Sequence, residues 1–199
     1  MKNKKSKIIP IIGPSSCGKS CVLGEISKRG YNTYKEIAKQ VINERYGYIQ
    51  KGDPEEKIKK EIETRERIMY DRQEKLEKSL LETPGYHFME RSTIGVFAFS
   101  KFYLGFIPED FKMNKNFKSR YLKVYNLKDL EDFEKTKSRV ESSKKEAEDV
   151  QNLVLKYYKG FGIEPKNVPN FSEKEKENIS KRTDFILDDL NLPPQNKGF

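Results

Sequence analysis

One histidine, two cysteines and no apolar run long enough to cross a membrane set the first limits on this chain. No stretch approaches 18 uncharged apolar residues, so no transmembrane helix is expected. Cys17 and Cys21 lie one helical turn apart, where a disulfide would distort the segment that holds them. Two sulfurs without further cysteine or a nearby histidine do not make a zinc site. Both are read as reduced thiols, with Cys17 a passive loop residue. His87 opens an apolar segment and is read as structural, because ligands in alternating α/β folds gather at the other end of the strands. There is no internal repeat and no low-complexity linker, so residues 1–199 read as a single domain with 1–7 as a basic tail. Only five apolar residues follow that tail. A signal peptide there would be cut away together with the motif behind it, so a cytoplasmic protein is expected.

What is present is charge: 36% of the 199 residues, with a net +9. The first 30 residues hold seven of the 40 basic and one of the 31 acidic side chains, leaving the other 169 residues near balance. A near-neutral body gives no extended phosphate track, so extended nucleic-acid binding is not expected; small anions near the N-terminal segment are.

The chain is organised around Gly13-Pro14-Ser15-Ser16-Cys17-Gly18-Lys19-Ser20, which fits G-x-x-x-x-G-K-[ST]. The β-branched run Ile8-Ile9-Pro10-Ile11-Ile12 precedes it as a buried strand. Val22, Leu23 and Ile26 follow on one side of a helix that Gly30 can stop. Strand, glycine-rich turn, helix is the context the motif requires. Gly13 and Gly18 let main-chain amides from Ser15 to Cys21 curl round phosphate oxygens at a helix N-terminus. Lys19 reaches the β- and γ-phosphates, and the Ser20 hydroxyl can ligate Mg²⁺. This is a phosphate-binding loop, with ATP and Mg²⁺ the expected ligands.

Asn32-Thr33-Tyr34 reads as a second strand, with Glu36 behind it and a helix from Ala38 to Tyr46. Asp53 is the expected N-cap of a long helix running to Glu82, about 43 Å at 1.5 Å per residue. Ile58, Ile62, Met69, Leu76 and Leu80 form its one apolar stripe. Its remaining faces carry Glu56/Lys60, Glu61/Arg65, Glu63/Arg67 and Glu74/Lys78 and read as solvated. His87 to Glu90 is a core strand, and Ile94, Phe97, Ala98 and Phe102 mark a helix. Arg120 to Tyr125 alternates as a fourth strand. Ser143-x-x-Glu146 caps a helix stopped by Gly160, a short strand lies within 161–168, and Ser172-x-x-Glu175 caps a last helix. Strands alternating with helices give a parallel α/β sheet with the loop after its first strand.

Glu90-Arg91-Ser92 ends the third strand. A carboxylate there can hold Mg²⁺ beside the loop, and the arginine can bridge phosphoryl oxygens. Glu36, Gln73, this triplet, Arg139, Val168-Pro169 and Lys181-Arg182-Thr183-Asp184 occur behind the loop in an order that resembles a known group. It is the small single-domain P-loop ATPases of AAA type, related to nicotinamide-riboside kinase domains, with a likeness to deoxyribonucleoside kinases. The resemblance implies a nucleoside-kinase-like three-layer P-loop NTPase sandwich with five parallel strands. It makes Glu36 the acceptor-side base, Glu90 a metal or base carboxylate, Arg91 a phosphoryl contact, and Arg139 with Lys137 part of a lid. Two departures mark this chain: Glu90 where such proteins place aspartate, and Gly95 where they carry a second acid.

The reading is therefore transfer of the ATP γ-phosphoryl group to a hydroxyl of a small nucleoside-like metabolite, with Glu36, Phe97, Phe102 and Tyr103 shaping the acceptor pocket. The alternative is a regulatory ATPase without a small-molecule acceptor. A GTPase switch fails, because Asn126-Leu127-Lys128-Asp129 has its lysine one place late for N-K-x-D and no D-x-x-G occurs.

Overall fold

The computed structural model describes residues 5–113, 116–128 and 143–193. Five parallel strands lie in the order β2-β3-β1-β4-β5: β1 Ser6–Ile12, β2 Asn32–Tyr34, β3 Gly85–Glu90, β4 Tyr125–Leu127 and β5 Lys166–Val168. β1 is central, and its side chains alternate between two cores. Ile8 and Ile12 face α3 (Glu55–Glu82), α4 (Thr93–Leu104) and α6 (Lys144–Gly160). Ile9 and Ile11 face α1 (Lys19–Lys28) and α7 (Glu175–Asp189). Helices on both faces of a parallel sheet make the three layers expected, and β1 starts two residues earlier than its apolar run.

The fourth strand is shorter and lies later than its alternating sequence suggested, sharing only Tyr125 with the expected Arg120 to Tyr125, and Pro10 supplies the reason. The Ile8 carbonyl accepts from Leu122 N–H on the β4 side, while the Ile11 carbonyl accepts from Arg91 N–H on the β3 side. Pro10 therefore faces β4 with no N–H to give, and the ladder is open there. Phe117–Arg120 forms a short helix, α5, and Tyr121 makes a single bridge to Ile8. Regular pairing resumes only at Ile11 with Tyr125 and Ile12 with Asn126.

Three helix ends also differ from expectation. Pro54 takes the N-cap position of α3, while the Asp53 carboxylate accepts from Gln50 N–H at 2.7 Å and pairs with Lys57. Lys174 takes that of α7, with Ser172 Oγ bonded to Lys174 N–H and Glu177 instead of closing a capping box. Gly160 stays helical, and the left-handed turn falls at Gly162 (φ 73°). Ser143 does cap α6, accepting from Glu146 N–H at 3.1 Å.

α3 is not a solvated helix carrying one apolar stripe. Glu61, Glu66, Gln73, Glu74 and Glu77 are buried with Met69, Tyr70 and Leu80, whereas Ile58 and Ile62 are only half-buried. Three of the four expected i,i+4 pairs form; Glu56 and Lys60 do not pair. Glu61, Glu74 and Glu77 pair with arginines distant in the chain, Arg45 for the first and Arg120 for the other two, which reverses the usual reading of a charged helix face.

Candidate active site at the phosphate loop

The loop leaves the carboxyl end of β1 and runs into α1, and its backbone explains its residues. Gly13 has φ 149°, and a Cβ there would lie 2.6 Å from Cys17 Sγ and 2.7 Å from the Leu127 carbonyl oxygen. Gly18 (φ 86°) and Ser16 (φ 70°) are also left-handed. Lys19 folds back along the loop, donating to the carbonyls of Gly13 (2.9 Å) and Pro14 (2.8 Å). Cys17 is wholly buried under the loop, and burial pushes its thiol pKa up despite Lys19 and Arg182 nearby, so it is a packing residue and not a nucleophile. Cys21 is exposed, one helical turn on.

The underside of the loop is held by Arg182, a residue that spacing arguments did not single out as functional. Its side chain is 1% exposed. Nη1 donates to the Cys17 carbonyl at 2.6 Å, Nη2 to the Lys128 carbonyl at 2.7 Å and to Asn170, and Nε to the Pro169 carbonyl at 3.1 Å. One guanidinium thus ties α7, the end of β4, the segment after β5 and the phosphate loop together.

Glu90 and Arg91 end β3 beside the loop. Ser20 Oγ donates to Glu90 Oε2 at 2.9 Å, and Lys39 Nζ to Ser20 Oγ at 3.3 Å. Arg91 is left-handed (φ 67°), its guanidinium lying 3.9 Å above the Phe99 ring and 2.5 Å from Glu36 Oε1 through Nε. That strained turn is held from three sides. Ser92 Oγ bonds Tyr158 OH at 2.6 Å, Thr93 N–H donates to Glu77 Oε1 at 2.7 Å, and Glu77 Oε2 accepts from Tyr121 OH (2.7 Å) and Arg120 Nη1 (2.8 Å). Glu77 on α3 therefore caps α4, in place of the side chain at the Ser92 N-cap position.

Beyond Glu36 and Arg91 opens a cleft, about 470 Å³ when the solvent at its open mouth is counted. It lies between α3, α4 and the helix Ile37–Glu44, here α2. Glu36 is 6% exposed. Burial would raise its pKa, but Arg91, then Lys19 and Lys39, outweigh burial and keep the carboxyl below its usual range. Tyr103 lines the cleft as expected, together with Val96 and Phe99. Phe97 and Phe102 do not: Phe97 turns from that face into the core against Phe117 and Tyr70.

Glu66 enters the cleft wall from α3, 5% exposed, with Ser100 Oγ donating to its Oε2 at 2.9 Å. Burial raises its pKa to about 7, against the opposing pull of Ser100 and Arg91. Arg91, Glu36 and Tyr103 are the charged and titratable groups that line the same cleft. Above pH 4.5 the unfolded chain gives up this proton while the folded chain keeps it, so stability falls as pH rises from about 4.5 to about 7. The fall amounts to roughly 3 kcal/mol, since each tenfold change in proton affinity is worth about 1.36 kcal/mol. Urea denaturation across that range should show a decline in wild type that Glu66→Gln removes.

Of the residues expected from sequence, Gly13, Ser15, Ser16, Cys17, Gly18, Lys19, Ser20 and Cys21 form the loop and the start of α1, with Glu36, Glu90 and Arg91 at the neighbouring strand ends. Arg139 and Lys137 lie outside the described residues. Arg182, Glu66 and Glu77 were missed. For the last two a signal existed: 66, 69, 70, 73, 77 and 80 share one helical face, so the acids lie on the buried side of α3.

A family model described as an AAA domain matches residues 8–176, which is most of the chain. This protein belongs to that AAA-domain family. A search of curated proteins finds no match. Among solved structures this AAA-domain protein is similar to a deoxyadenosine kinase from M. mycoides, at 16% identity over 92% of this chain and 98% of that one, with TM-score 0.57. It is similar to the NadR protein solved with NR, at 14% identity and TM-score 0.62, covering 98% of this chain and 52% of that one. It spans about half the length of NadR. A thymidylate kinase from Ehrlichia chaffeensis matches at 12% identity over 94% and 99%, with TM-score 0.53. These likenesses establish a shared P-loop kinase fold. Among the described residues of this AAA-domain protein no helix is long and apolar enough to cross a membrane.

Proposed function

We propose that this protein is a cytoplasmic kinase that transfers the γ-phosphoryl group of ATP to a hydroxyl of a small nucleoside-like metabolite seated in the cleft. The observation that carries the reading is Glu36, a buried carboxylate lining the cleft and held ionised by Arg91, Lys19 and Lys39. It joins an acceptor pocket to the phosphate loop, an arrangement a plain ATPase does not need. The shared fold with deoxyadenosine kinase, NadR and thymidylate kinase supports the same reading.

The loop amides and Lys19 hold the triphosphate, Lys19 exchanging its two loop carbonyls for phosphate oxygens. Ser20 Oγ and Glu90, already 2.9 Å apart, form the hard oxygen pair suited to Mg²⁺, which when bound neutralises charge on the phosphates. Glu36 accepts the hydrogen bond of the acceptor hydroxyl, aims its oxygen at the γ-phosphorus and takes its proton as the new P–O bond replaces the bond to ADP. A loose transition state asks more for this orientation than for prior deprotonation, so a carboxylate of lowered pKa suffices. Arg91 lies where it can neutralise the transferring oxygens, and Arg139 would close over ATP from outside the described residues.

A nucleoside panel with Mg-ATP, read as ADP release and product mass, tests this. At least one nucleoside should stimulate ADP release and be phosphorylated, and Glu36→Gln should lower kcat on the order of 10²–10³-fold with ATP affinity unchanged. ADP release that stays at the acceptor-free background across the panel would contradict it and favour the regulatory ATPase.

A further inference from the structure

The cleft is lined by apolar side chains and by a few polar groups, one of which is not fully engaged. Glu36 and Arg91 mark the end nearest the phosphate loop and are paired with each other. The remaining walls include Ile37, Ile42, Met69, Val96 and Phe99, which suit the faces of a ring. Gln73 borders this part, but its amide nitrogen is engaged by Glu77 Oε1 at 3.1 Å. Glu66 is different. Its Oε2 accepts from Ser100 Oγ, while Oε1 has no hydrogen-bond partner among the described residues. A carboxyl buried among apolar walls with half its hydrogen-bonding capacity unused is costly in a protein interior and useful where a ligand completes it.

Building on the kinase reading above, we propose that Glu66 determines specificity for the acceptor, its carboxyl pairing with a planar base that carries an amino group beside a ring nitrogen, as adenine and cytosine do. The chemistry follows from the surroundings. Burial disfavours the charged form and raises the pKa to about 7, so the acid form is populated at neutral pH and is the form that pairs. Ser100 donates to Oε2, which leaves Oε1 as the oxygen that carries the proton. Oε1–H then donates to the ring nitrogen while Oε2, with a second lone pair free, accepts from the amino group. The keto bases hypoxanthine and uracil present the reverse pattern, a carbonyl oxygen where adenine and cytosine carry the amino group and a ring N–H where they carry the bare ring nitrogen, so in the same pose donor meets donor and acceptor meets acceptor. They pair less well.

Calorimetric binding to the full chain tests this without turnover, using adenosine against inosine and cytidine against uridine. In at least one pair the amino base should bind about tenfold or more tightly than its keto counterpart, as a well-formed two-point base contact provides. Glu66→Gln presents one donor and one acceptor in the same places and should keep the preference. Glu66→Met should bring each pair to within about twofold, with Mg-ATP binding retained. Equal binding within both pairs, a keto preference, or an unchanged ratio in Glu66→Met would overturn the assignment. If nucleosides bind and are phosphorylated without regard to base, the assignment of Glu66 fails and the kinase reading stands. If Mg-ATP binds and no nucleoside does, both fail.

Discussion

Arg182→Met should lower the unfolding free energy by roughly 3–5 kcal/mol and weaken nucleotide binding in the same protein. The guanidinium serves the carbonyls of Cys17, Lys128 and Pro169 and the side chain of Asn170, all from a position 1% exposed. Methionine fills much of the volume and returns none of the donors. Four acceptors that had a charged partner, three of them main-chain carbonyls, then lie against an apolar side chain, each carbonyl at about 1–3 kcal/mol. The largest stability change in the α1–α7 half of the molecule should therefore come from a residue 165 positions away from the carbonyl it supports. Urea unfolding should show a lower midpoint at unchanged slope, and the melting temperature should drop by roughly 10 °C. Because the lost support is the floor of the phosphate loop, Mg-ATP affinity should fall too, although Arg182 bonds the loop's carbonyl side and not its phosphate-facing amides. A variant as stable as wild type would show that the clamp is dispensable.

Glu77→Ala is expected to be as severe, on the other face of the sheet. Glu77 is fully buried and accepts from Gln73, Thr93 N–H, Arg120 and Tyr121. Removing it leaves Arg120 with Glu74 as its remaining carboxylate, strips α4 of its cap and leaves Tyr121 OH without its carboxylate acceptor. Breaking a buried charge pair from one side is worth about 3–5 kcal/mol. Loss of the cap adds about 1 kcal/mol. Glu77→Gln keeps acceptor oxygen for the α4 cap and should lose less than Glu77→Ala, which separates the role of the cap from that of the charge. Since the same carboxylate fixes the turn that holds Arg91 at φ 67°, kcat should fall in Glu77→Gln more than KM changes.

The residues that form the loop, and the strand and helix around it, were legible because motif, β-branched run and helical spacing agree there. The boundaries of β4 were not. Alternation from Arg120 to Tyr125 is real, but a proline in the neighbouring strand decides where the ladder can form, and β1 and β4 are far apart in the chain. The acids of α3 misled for a related reason. A glutamate on a helix is solvated by default, and what buries Glu77 is Arg120, 43 residues on, together with Tyr121, 44 residues on. Arg182 entered the sequence reading only within the Lys181-Arg182-Thr183-Asp184 resemblance and carries no local signal of its clamp, since its partners come from three separate stretches of chain. Arg91, by contrast, was singled out by its place at a strand end, where a parallel sheet exposes its ligand-binding edge, and Glu36 through the family resemblance.

The central claim is that the main-chain amides from Gly13 to Cys21, with Lys19, grip the triphosphate of a nucleotide. Isothermal titration of Mg-ATP into the wild-type chain and into Lys19→Ala tests it most directly. The account predicts saturable binding at one site per wild-type chain, lost in Lys19→Ala while the melting temperature stays the same. No heat from any Mg-nucleotide, or undiminished binding by Lys19→Ala, would contradict it.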